Sequence, residues 1–175
     1  MKYVLLLTFA VVFGLGMAAA LTAGAVSARA SYEDPLAPKL PVPRFVTLGA
    51  KEVNLRTGPG RRYPIALVLE KKGLPVEIVR QFDGWRKICD KEGDTGWVYR
   101  NLLSGKRAVI ITGREQIMRD DPEEDSRPVV KLDMGVIAGL RTCKDGWCKV
   151  SIEGYDGWVE RRNVWGVLPE ETFKN

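Results

Sequence analysis

The chain has 175 residues, of which 45% are hydrophobic and 28% are charged, and its formal net charge is +5 at pH 7. It contains no histidine, so a Ser-His-Asp or Cys-His catalytic centre cannot be assembled from these residues. A pair of carboxylates is the chemistry left open, but no pair stands out from the charged loops. We therefore predict that the protein is not an enzyme, that it holds no cofactor or metal, and that its mild positive charge does not bind nucleic acid.

Residues 1–30 have the pattern of an export signal. Lys2 precedes an apolar run that extends from Tyr3 to Leu21, and Ala28-Arg29-Ala30 forms an A-x-A cleavage site. An uncleaved membrane anchor is the alternative, because the run approaches the ~20 residues that span a bilayer. We predict an exported protein, periplasmic or extracellular, that contacts the membrane only if this segment stays uncleaved.

Residues 31–44 form a proline-rich linker with four prolines, at positions 35, 38, 41 and 43. Proline fixes φ and has no N–H, so the segment should be extended polyproline II without ladder hydrogen bonds. One interpretation is a stiff spacer. The other is a P-x-x-P ligand that docks on a groove of the same or another chain.

From Arg44 onward, short alternating runs are interrupted by glycine, proline and aspartate. Turn signals about every 8–12 residues indicate a small β-barrel or sandwich, and no window has a helical period beyond a single turn. We therefore predict an all-β fold. The runs of the first half are Phe45–Leu48, Ile65–Leu69, Pro75–Phe82, Trp85–Cys89 and Thr95–Tyr99.

The second half of the chain repeats the first after about 62 residues. Asp83-Gly84-Trp85 corresponds to Asp145-Gly146-Trp147, and a later Gly-Trp-Val also occurs in both halves. A period near 60 residues is longer than a solenoid unit and matches a minimal globular domain. We predict two domains of one type, at residues 45–105 and 107–168, followed by a tail at 169–175.

Each Asp-Gly pair indicates a tight hairpin turn. In the strand that leaves the turn, a period of 2 places Trp85 and Ile88 on opposite faces, and likewise Trp147 and Val150. We expect the aliphatic residue of each pair in the core, which leaves the tryptophan on an outer face or at a barrel end.

The two cysteines that flank the second Asp-Gly turn suggest a hairpin disulfide in an exported protein. A two-residue loop would place Cys143 opposite Cys148, within reach of such a bond. A three-residue loop would instead place Leu140 opposite Val150, and the sequence leaves the loop length open. We predict the disulfide Cys143–Cys148, and a buried or half-buried thiol at Cys89.

The motifs of the first copy are Asn54-Leu55-Arg56-Thr57-Gly58-Pro59, Gly84-Trp85 and Thr95-Gly96-Trp97-Val98, and together they resemble the bacterial SH3-like domain of exported proteins. The second copy is diverged, with residues 116–122 in place of the first motif, but it keeps both Gly-Trp pairs. The resemblance implies a five-stranded, partly open barrel for each copy. The predicted fold is thus two tandem small SH3-like β-barrels after a signal segment and a proline-rich linker.

In that family the domain is usually a non-catalytic attachment module for cell-wall peptide or glycan, or for other envelope proteins. We therefore expect an envelope binding module that recognises peptidoglycan or cell-wall peptide. The alternative is a periplasmic protein–protein adaptor that binds an extended or proline-rich peptide. Aromatic residues beside a variable loop can form a shallow site. The candidate ligand-binding residues are Arg56, Arg61, Tyr63, Trp85, Trp97, Tyr99, Trp147 and Trp158.

Structural roles compete with binding at several of these positions. A small core needs large side chains, which favours a structural role for Trp97 and Trp158. Arg56 beside a tight glycine turn is suited to bond loop carbonyls. The loop at 57–63 is basic and its counterpart at 120–125 is acidic. The acidic loop fits a solvated charge run better than a calcium site, and we expect the two copies not to share one ligand.

Overall fold

The computed structural model describes residues 40–174, and the predicted signal segment and its cleavage site lie outside the described residues. Nearly every element in the described range is a β-strand, and the strands form two antiparallel sheets that follow each other along the chain. The prediction of an all-β protein built from two tandem SH3-like units is confirmed. No helix within residues 40–174 is long and apolar enough to cross a membrane.

The first sheet and the core that it encloses are called barrel 1. Its strands are β1 (Arg44–Leu48), β2 (Val53–Arg56), β3 (Ile65–Leu69), β4 (Pro75–Phe82), β5 (Trp85–Cys89), β6 (Thr95–Tyr99) and β7 (Leu103–Ser104), with a 3-10 turn at Arg100–Leu102. The spatial order is β3-β2-β6-β5-β4-β1-β7. The sheet has more strands than the five that the resemblance implies, because short segments such as β7 also join the ladder.

The second sheet and its core are called barrel 2. Its strands are β8 (Ala108–Ile111), β9 (Gln116–Arg119), β10 (Pro128–Leu132), β11 (Ile137–Lys144), β12 (Trp147–Ile152), β13 (Tyr155–Glu160), β14 (Val164–Trp165) and β15 (Phe173–Lys174), with a 3-10 turn at Arg161–Asn163. The order β10-β9-β13-β12-β11-β8-β14 repeats that of barrel 1 strand for strand. The additional strand β15 pairs with β11.

Each barrel has its own apolar core. The core is built from residues that point inward, and these alternate with outward-facing residues along the strands. Ile88 and Val150 are fully buried, as expected, whereas Trp85 and Trp147 are half-buried on the opposite face. The core residues of barrel 1 are Leu48, Val53, Leu55, Val76, Ile78, Ile88 and Val98. Those of barrel 2 are Val109, Ile111, Met118, Leu132, Ala138, Leu140, Cys143, Cys148, Val150 and Val159.

The long hairpin of barrel 2 contains both of the registers that the sequence left open. Next to the turn, Cys143 lies opposite Cys148, as a two-residue loop requires. Farther from the turn, Leu140 lies opposite Val150, because the register shifts between Leu140 and Thr142. Such a β-bulge places one extra residue in one of the two strands. The hairpin of barrel 1 has the same register shift at the equivalent position, between Ile78 and Arg80.

The predicted disulfide Cys143–Cys148 is present, with the two Cα atoms 4.1 Å apart. Both residues are buried in the core of barrel 2. The bond therefore links the two strands at the point where the hairpin covers the core, rather than at an exposed turn.

Removing this bond should lower the free energy of unfolding by about 2 kcal/mol, the chain-entropy value for so short a loop. The measurement is denaturant unfolding of the Cys143→Ala/Cys148→Ala variant beside the wild type, each with and without dithiothreitol. Reductant should destabilise the wild type and leave the variant unchanged, with Cys89→Ala as the control for the loss of a thiol. Equal midpoints for the oxidised and the reduced wild type would contradict the prediction.

Glycine is required before the tryptophan in each Gly-Trp-Val motif because the neighbouring strand approaches closely. A Cβ at Gly96 would lie 2.6 Å from Leu55 Cβ, and one at Gly157 would lie 2.6 Å from the Arg119 carbonyl oxygen and from Met118 Cγ. Real Cβ atoms do not tolerate such contacts in a close-packed interior. The motif therefore marks the place where the strand passes over its partner, β2 or β9.

The C-terminal segment is fastened to barrel 2 by a partly buried ion pair. Arg107 donates two hydrogen bonds to the Glu171 carboxylate, at 2.5 and 3.0 Å, and a third to the Gly166 carbonyl oxygen. The Leu168 amide also donates to Glu171, at 3.1 Å. The hydrogen bonds from Arg107 lower the pKa of Glu171 more than its burial raises it. The start of barrel 2 and the end of the chain are thus held together.

The described end of the proline-rich linker lies against barrel 1. The Gln81 side-chain amide donates to the Leu40 carbonyl oxygen at 2.7 Å, and Arg44 donates to the Pro41 carbonyl oxygen at 3.0 Å. Pro35 and Pro38 lie outside the described residues. The contact involves backbone carbonyls, so it fixes the position of the linker without reading its proline side chains.

Candidate functional site

Three of the candidate aromatic residues lie together on the outer face of barrel 1. Trp85 is the register partner of Tyr99, and Lys87 is the partner of Trp97, so these four side chains share one face of β5 and β6. The rings of Trp85 and Tyr99 meet edge to face with centroids 5.6 Å apart. We call the surface formed by Trp85, Trp97 and Tyr99 the aromatic face. All three of its members are half-buried, so each presents part of a ring to solvent.

The Asp-Gly turn positions this surface. A Cβ at Gly84 would lie 2.5 Å from the Tyr99 ring, so only glycine lets that ring lie against the turn. The Arg100 amide donates to the Gly84 carbonyl oxygen at 2.9 Å and ties the end of β6 to the same turn. The glycine beside Trp85 thus allows the two rings to meet.

The basic loop of barrel 1 is held by Arg56. Its guanidinium donates to the carbonyl oxygens of Tyr63 at 2.8 Å and Arg61 at 3.2 Å. The Tyr63 ring covers Gly58, where a Cβ would lie 2.5 Å from the ring. The Arg62 guanidinium lies 5.2 Å from the centroid of the same ring, and its hydrogen bond to the Tyr63 hydroxyl raises the pKa of Arg62. Arg56 therefore shapes the loop, and Arg61 is exposed at its edge.

The acidic loop of barrel 2 has the same backbone conformation despite its diverged sequence. Arg119 donates to the Ser126 carbonyl oxygen at 2.6 Å, as Arg56 does at the equivalent position. The Asp120 amide donates to the Arg127 carbonyl oxygen, and the equivalent groups of barrel 1 bond at the same distance of 3.0 Å. The arginine at the end of β2 or β9 therefore holds the loop in both copies, and exposed residues between its anchors, such as Arg61 and Glu124, differ in charge.

Barrel 2 does not rebuild the aromatic face. The place of Tyr99, opposite the tryptophan of the turn, is taken by Glu160 beside Trp147. Trp158 is only 8% exposed, and the ammonium groups of Lys144 and Lys149 lie 5.4 and 6.0 Å from its ring centroid. The structure therefore places three of the candidates together on the half-buried aromatic face of barrel 1. On barrel 2, Trp147 is half-buried beside Glu160, and the lysines lie over Trp158.

Barrel 2 carries a pocket of about 680 Å³ that the sequence analysis did not predict. It lies beside Trp147, and part of its wall comes from the segment that ends in the predicted tail. The sequence signal was incomplete, since the repeat identifies Trp147 but gives no reason to fold residues 166–171 back against it. The residues that line the pocket include Glu124, Trp147, Glu160, Val164, Val167 and Pro169.

The remaining cysteine and its neighbour are accounted for by local structure. Cys89 is half-buried, and burial is the largest cause that raises the pKa of its thiol, followed by the carboxylate of Asp90. Burial also raises the pKa of Asp90, whose carboxylate accepts a hydrogen bond from the Asp94 amide at 2.8 Å and closes the turn after β5. Within residues 40–174, no group of three acidic or cysteine side chains is placed to hold a metal ion.

Comparison with known proteins supplies a family. The family model described as bacterial SH3 domain matches residues 49–105 and 112–166. A curated protein of Bacillus subtilis (strain 168), named "Putative N-acetylmuramoyl-L-alanine amidase YrvJ", is 27% identical over 128 residues, which cover 67% of this chain and 24% of that protein. The chain therefore matches about a quarter of that relative.

Two solved structures are also similar. NlpC2 from Trichomonas vaginalis is 14% identical, with 73% of this chain and 49% of that chain covered and a TM-score of 0.33. An NlpC/P60 family protein from Bacillus cereus ATCC 10987 is 13% identical, with 69% of this chain and 55% of that chain covered and a TM-score of 0.32. Likeness at this level carries no argument about function.

The prediction that the protein is not an enzyme is wrong. It was drawn from the absence of histidine, which excludes a histidine-based centre from these 175 residues. The relative that shares two thirds of this chain is named as an amidase, and the shared part is 24% of that protein. The absence of histidine from this chain therefore does not show that the protein lacks enzymatic activity.

Proposed function

The chain belongs to the bacterial SH3 domain family, and from that membership we propose that its barrels attach it to the bacterial cell wall by binding the peptide part of peptidoglycan. The protein acts in the envelope or outside the cell. Its primary contact surface is the aromatic face of barrel 1.

The aromatic face, where each of three rings is partly open to solvent, is the observation that carries this proposal. Tryptophan and tyrosine provide a large contact area and lose little conformational entropy when they bind. The face lies beside a basic loop whose exposed Arg61 and Arg62 can meet the carboxylates of an anionic wall polymer. The relative's name refers to N-acetylmuramoyl-L-alanine, the junction between a sugar and a peptide, and an attachment surface suits a protein that acts on such a polymer.

We expect the purified protein to co-sediment with insoluble peptidoglycan, and Trp85→Ala to weaken this binding about tenfold, the effect of removing a central aromatic anchor. Tyr155→Ala is the matched control, because Tyr155 is 52% exposed and lies on the β12–β13 turn of the other barrel. Sedimentation is measured against increasing amounts of peptidoglycan. Equal loss in both variants would contradict the assignment to the aromatic face.

A wild-type protein that stays in the supernatant would contradict binding to the cell wall. The adaptor alternative would then be preferred, and it has a specific observation in its favour. Barrel 1 already binds backbone carbonyls of the linker segment, at Leu40 and Pro41, through Gln81 at the end of β4 and Arg44 at the start of β1. A proline-rich peptide that competes for these donors would be the ligand of that adaptor.

A further inference from the structure

We propose that the pocket beside Trp147 in barrel 2 is a second ligand site, for a group with an aliphatic stem that ends in an ammonium, as in a lysine side chain. This site is separate from the aromatic face and needs no part of it. Its ligand class follows from the walls of the pocket and from the charges at its edge.

The walls of the pocket suit an aliphatic stem. Its volume of about 680 Å³ is within the range of small-molecule sites, about 300–1,000 Å³. The apolar part of its lining consists of the Trp147 ring with Val164, Val167 and Pro169. A chain of methylene groups can be buried against these apolar side chains, which is favourable because it removes apolar surface from water.

The two arginines at the pocket are already occupied. Arg161 donates hydrogen bonds to the carbonyl oxygens of Leu168 and Glu171, which holds the C-terminal segment in place. Arg162 donates to both carboxylate oxygens of Glu160, at 2.6 and 3.0 Å. The Nε of Arg161 has no hydrogen-bond partner in the described part of the chain, but it is buried. An anionic ligand in the pocket would therefore have to displace one of these hydrogen bonds in order to reach a guanidinium N–H.

One carboxylate at the pocket is available. Glu124 lines the pocket and is exposed, and no hydrogen bond or ion pair in the described part of the chain involves its side chain. The pKa of Arg162 is raised chiefly by its hydrogen bond to Glu160, and the charge of Glu124 adds to this effect. Glu160 is different, because its oxygens accept from Arg162 and, at 2.8 Å, from the Asn163 side chain. A ligand ammonium therefore finds the Glu124 carboxylate, and the Trp147 ring adds a cation–π contact.

Barrel 1 provides an internal comparison. Its loop has the same hydrogen-bonded frame, and the position equivalent to Glu124 is occupied by Arg61. A cationic ligand would be repelled there, so the site is specific to barrel 2. The C-terminal segment that forms one wall of the pocket also has no equivalent in barrel 1, where the chain continues into the second copy.

The test is an NMR titration of the full protein with Nα-acetyl-lysine amide, followed at the Trp147 indole N–H, which is assigned by its disappearance in Trp147→Phe. Nα-acetyl-norleucine amide, which has an aliphatic stem without the ammonium, is the matched ligand. We expect saturable shifts with the lysine probe and binding about three- to fivefold weaker for norleucine, the size of an exposed charge pair. Glu124→Gln should weaken binding of the lysine probe by the same factor and abolish the preference.

Asp125→Asn is the matched control, because Asp125 is the next carboxylate of the loop and is not part of the pocket lining. It should leave the affinity for the lysine probe unchanged within about twofold, as expected for screened charges. The proposal is overturned if the lysine probe causes no shift, if norleucine binds as well, or if Glu124→Gln and Asp125→Asn have equal effects. None of these outcomes depends on the aromatic face, so failure here and failure of cell-wall binding are distinguishable.

Discussion

Replacement of Gly157 by alanine should lower the free energy of unfolding by about 2–3 kcal/mol, the cost of forcing an atom into a packed interior. The new Cβ would lie 2.6 Å from the Arg119 carbonyl oxygen, which is fixed in the β9–β13 ladder and cannot move as a side-chain end could. The entropy that alanine removes from the unfolded chain returns only about 0.4–1 kcal/mol. Denaturant unfolding followed by tryptophan fluorescence measures the difference.

Gly105→Ala is the matched control for this substitution. No atom lies within 4 Å of a Cβ at Gly105, and its φ is outside the left-handed region. The same change should therefore alter stability by no more than about 0.5 kcal/mol, as at other open surface positions. If the two variants unfold at the same denaturant concentration, the close approach of β9 to Gly157 is not what requires glycine in the motif.

Glu171→Gln should lower the free energy of unfolding by about 2–3 kcal/mol at neutral pH, because it removes the carboxylate that pairs with the partly buried Arg107 charge. The value is below that of a fully buried pair, since the Glu171 side chain is 22% exposed and water screens part of the interaction. The adjacent Glu170 is exposed, so Glu170→Gln is the control and should have little effect.

The same pair gives a pH dependence with a definite sign. The pKa of Glu171 is lowered in the folded protein, chiefly by the hydrogen bonds from Arg107. Its contribution to stability is therefore fully present above the unfolded pKa, near 4.3 for a glutamate, and is lost as the pH falls through the lower folded value. The stability gap between the wild type and Glu171→Gln should be constant above about pH 5 and shrink in acid. A gap that persists unchanged below the folded pKa would rule out the ionic form of Glu171 as the stabilising species.

Sequence reasoning located the strands well where turn chemistry is strong. Ile65–Leu69 and Pro75–Phe82 have the predicted bounds because glycine, proline and aspartate interrupt the chain on either side. The C-terminal strand was not predicted, since two residues are too few for an alternating pattern. It forms where the chain returns to β11, a long-range pairing that local pattern does not encode. The domain bounds at 45–105 and 107–168 stay a prediction.

The sequence likewise predicts only part of the candidate site. Period 2 was enough to place Trp85 away from the core, because a strand has only two faces. It could not distinguish Trp97 from Trp158, which occur in the same motif but differ in exposure. The ammonium groups of Lys144 and Lys149 lie 5.4 and 6.0 Å from the ring centroid of Trp158, and the period of the strand does not encode such contacts. The pocket could not be predicted because one of its walls is the C-terminal segment. Arg161 holds that segment in place by a hydrogen bond to the Glu171 carbonyl oxygen, and the first copy has no equivalent segment.

In both barrels an arginine holds the backbone of the loop, so the shape of the loop does not depend on the charge of its exposed side chains. Arg56 and Arg119 bond backbone carbonyls, which every residue provides, so these bonds do not depend on the exposed side chains between the anchors. One copy could therefore become cationic and the other anionic after duplication without remodelling the sheet beneath. In a protein with tandem copies, substitutions in one loop can therefore change what that copy recognises while its barrel and the other copy stay the same.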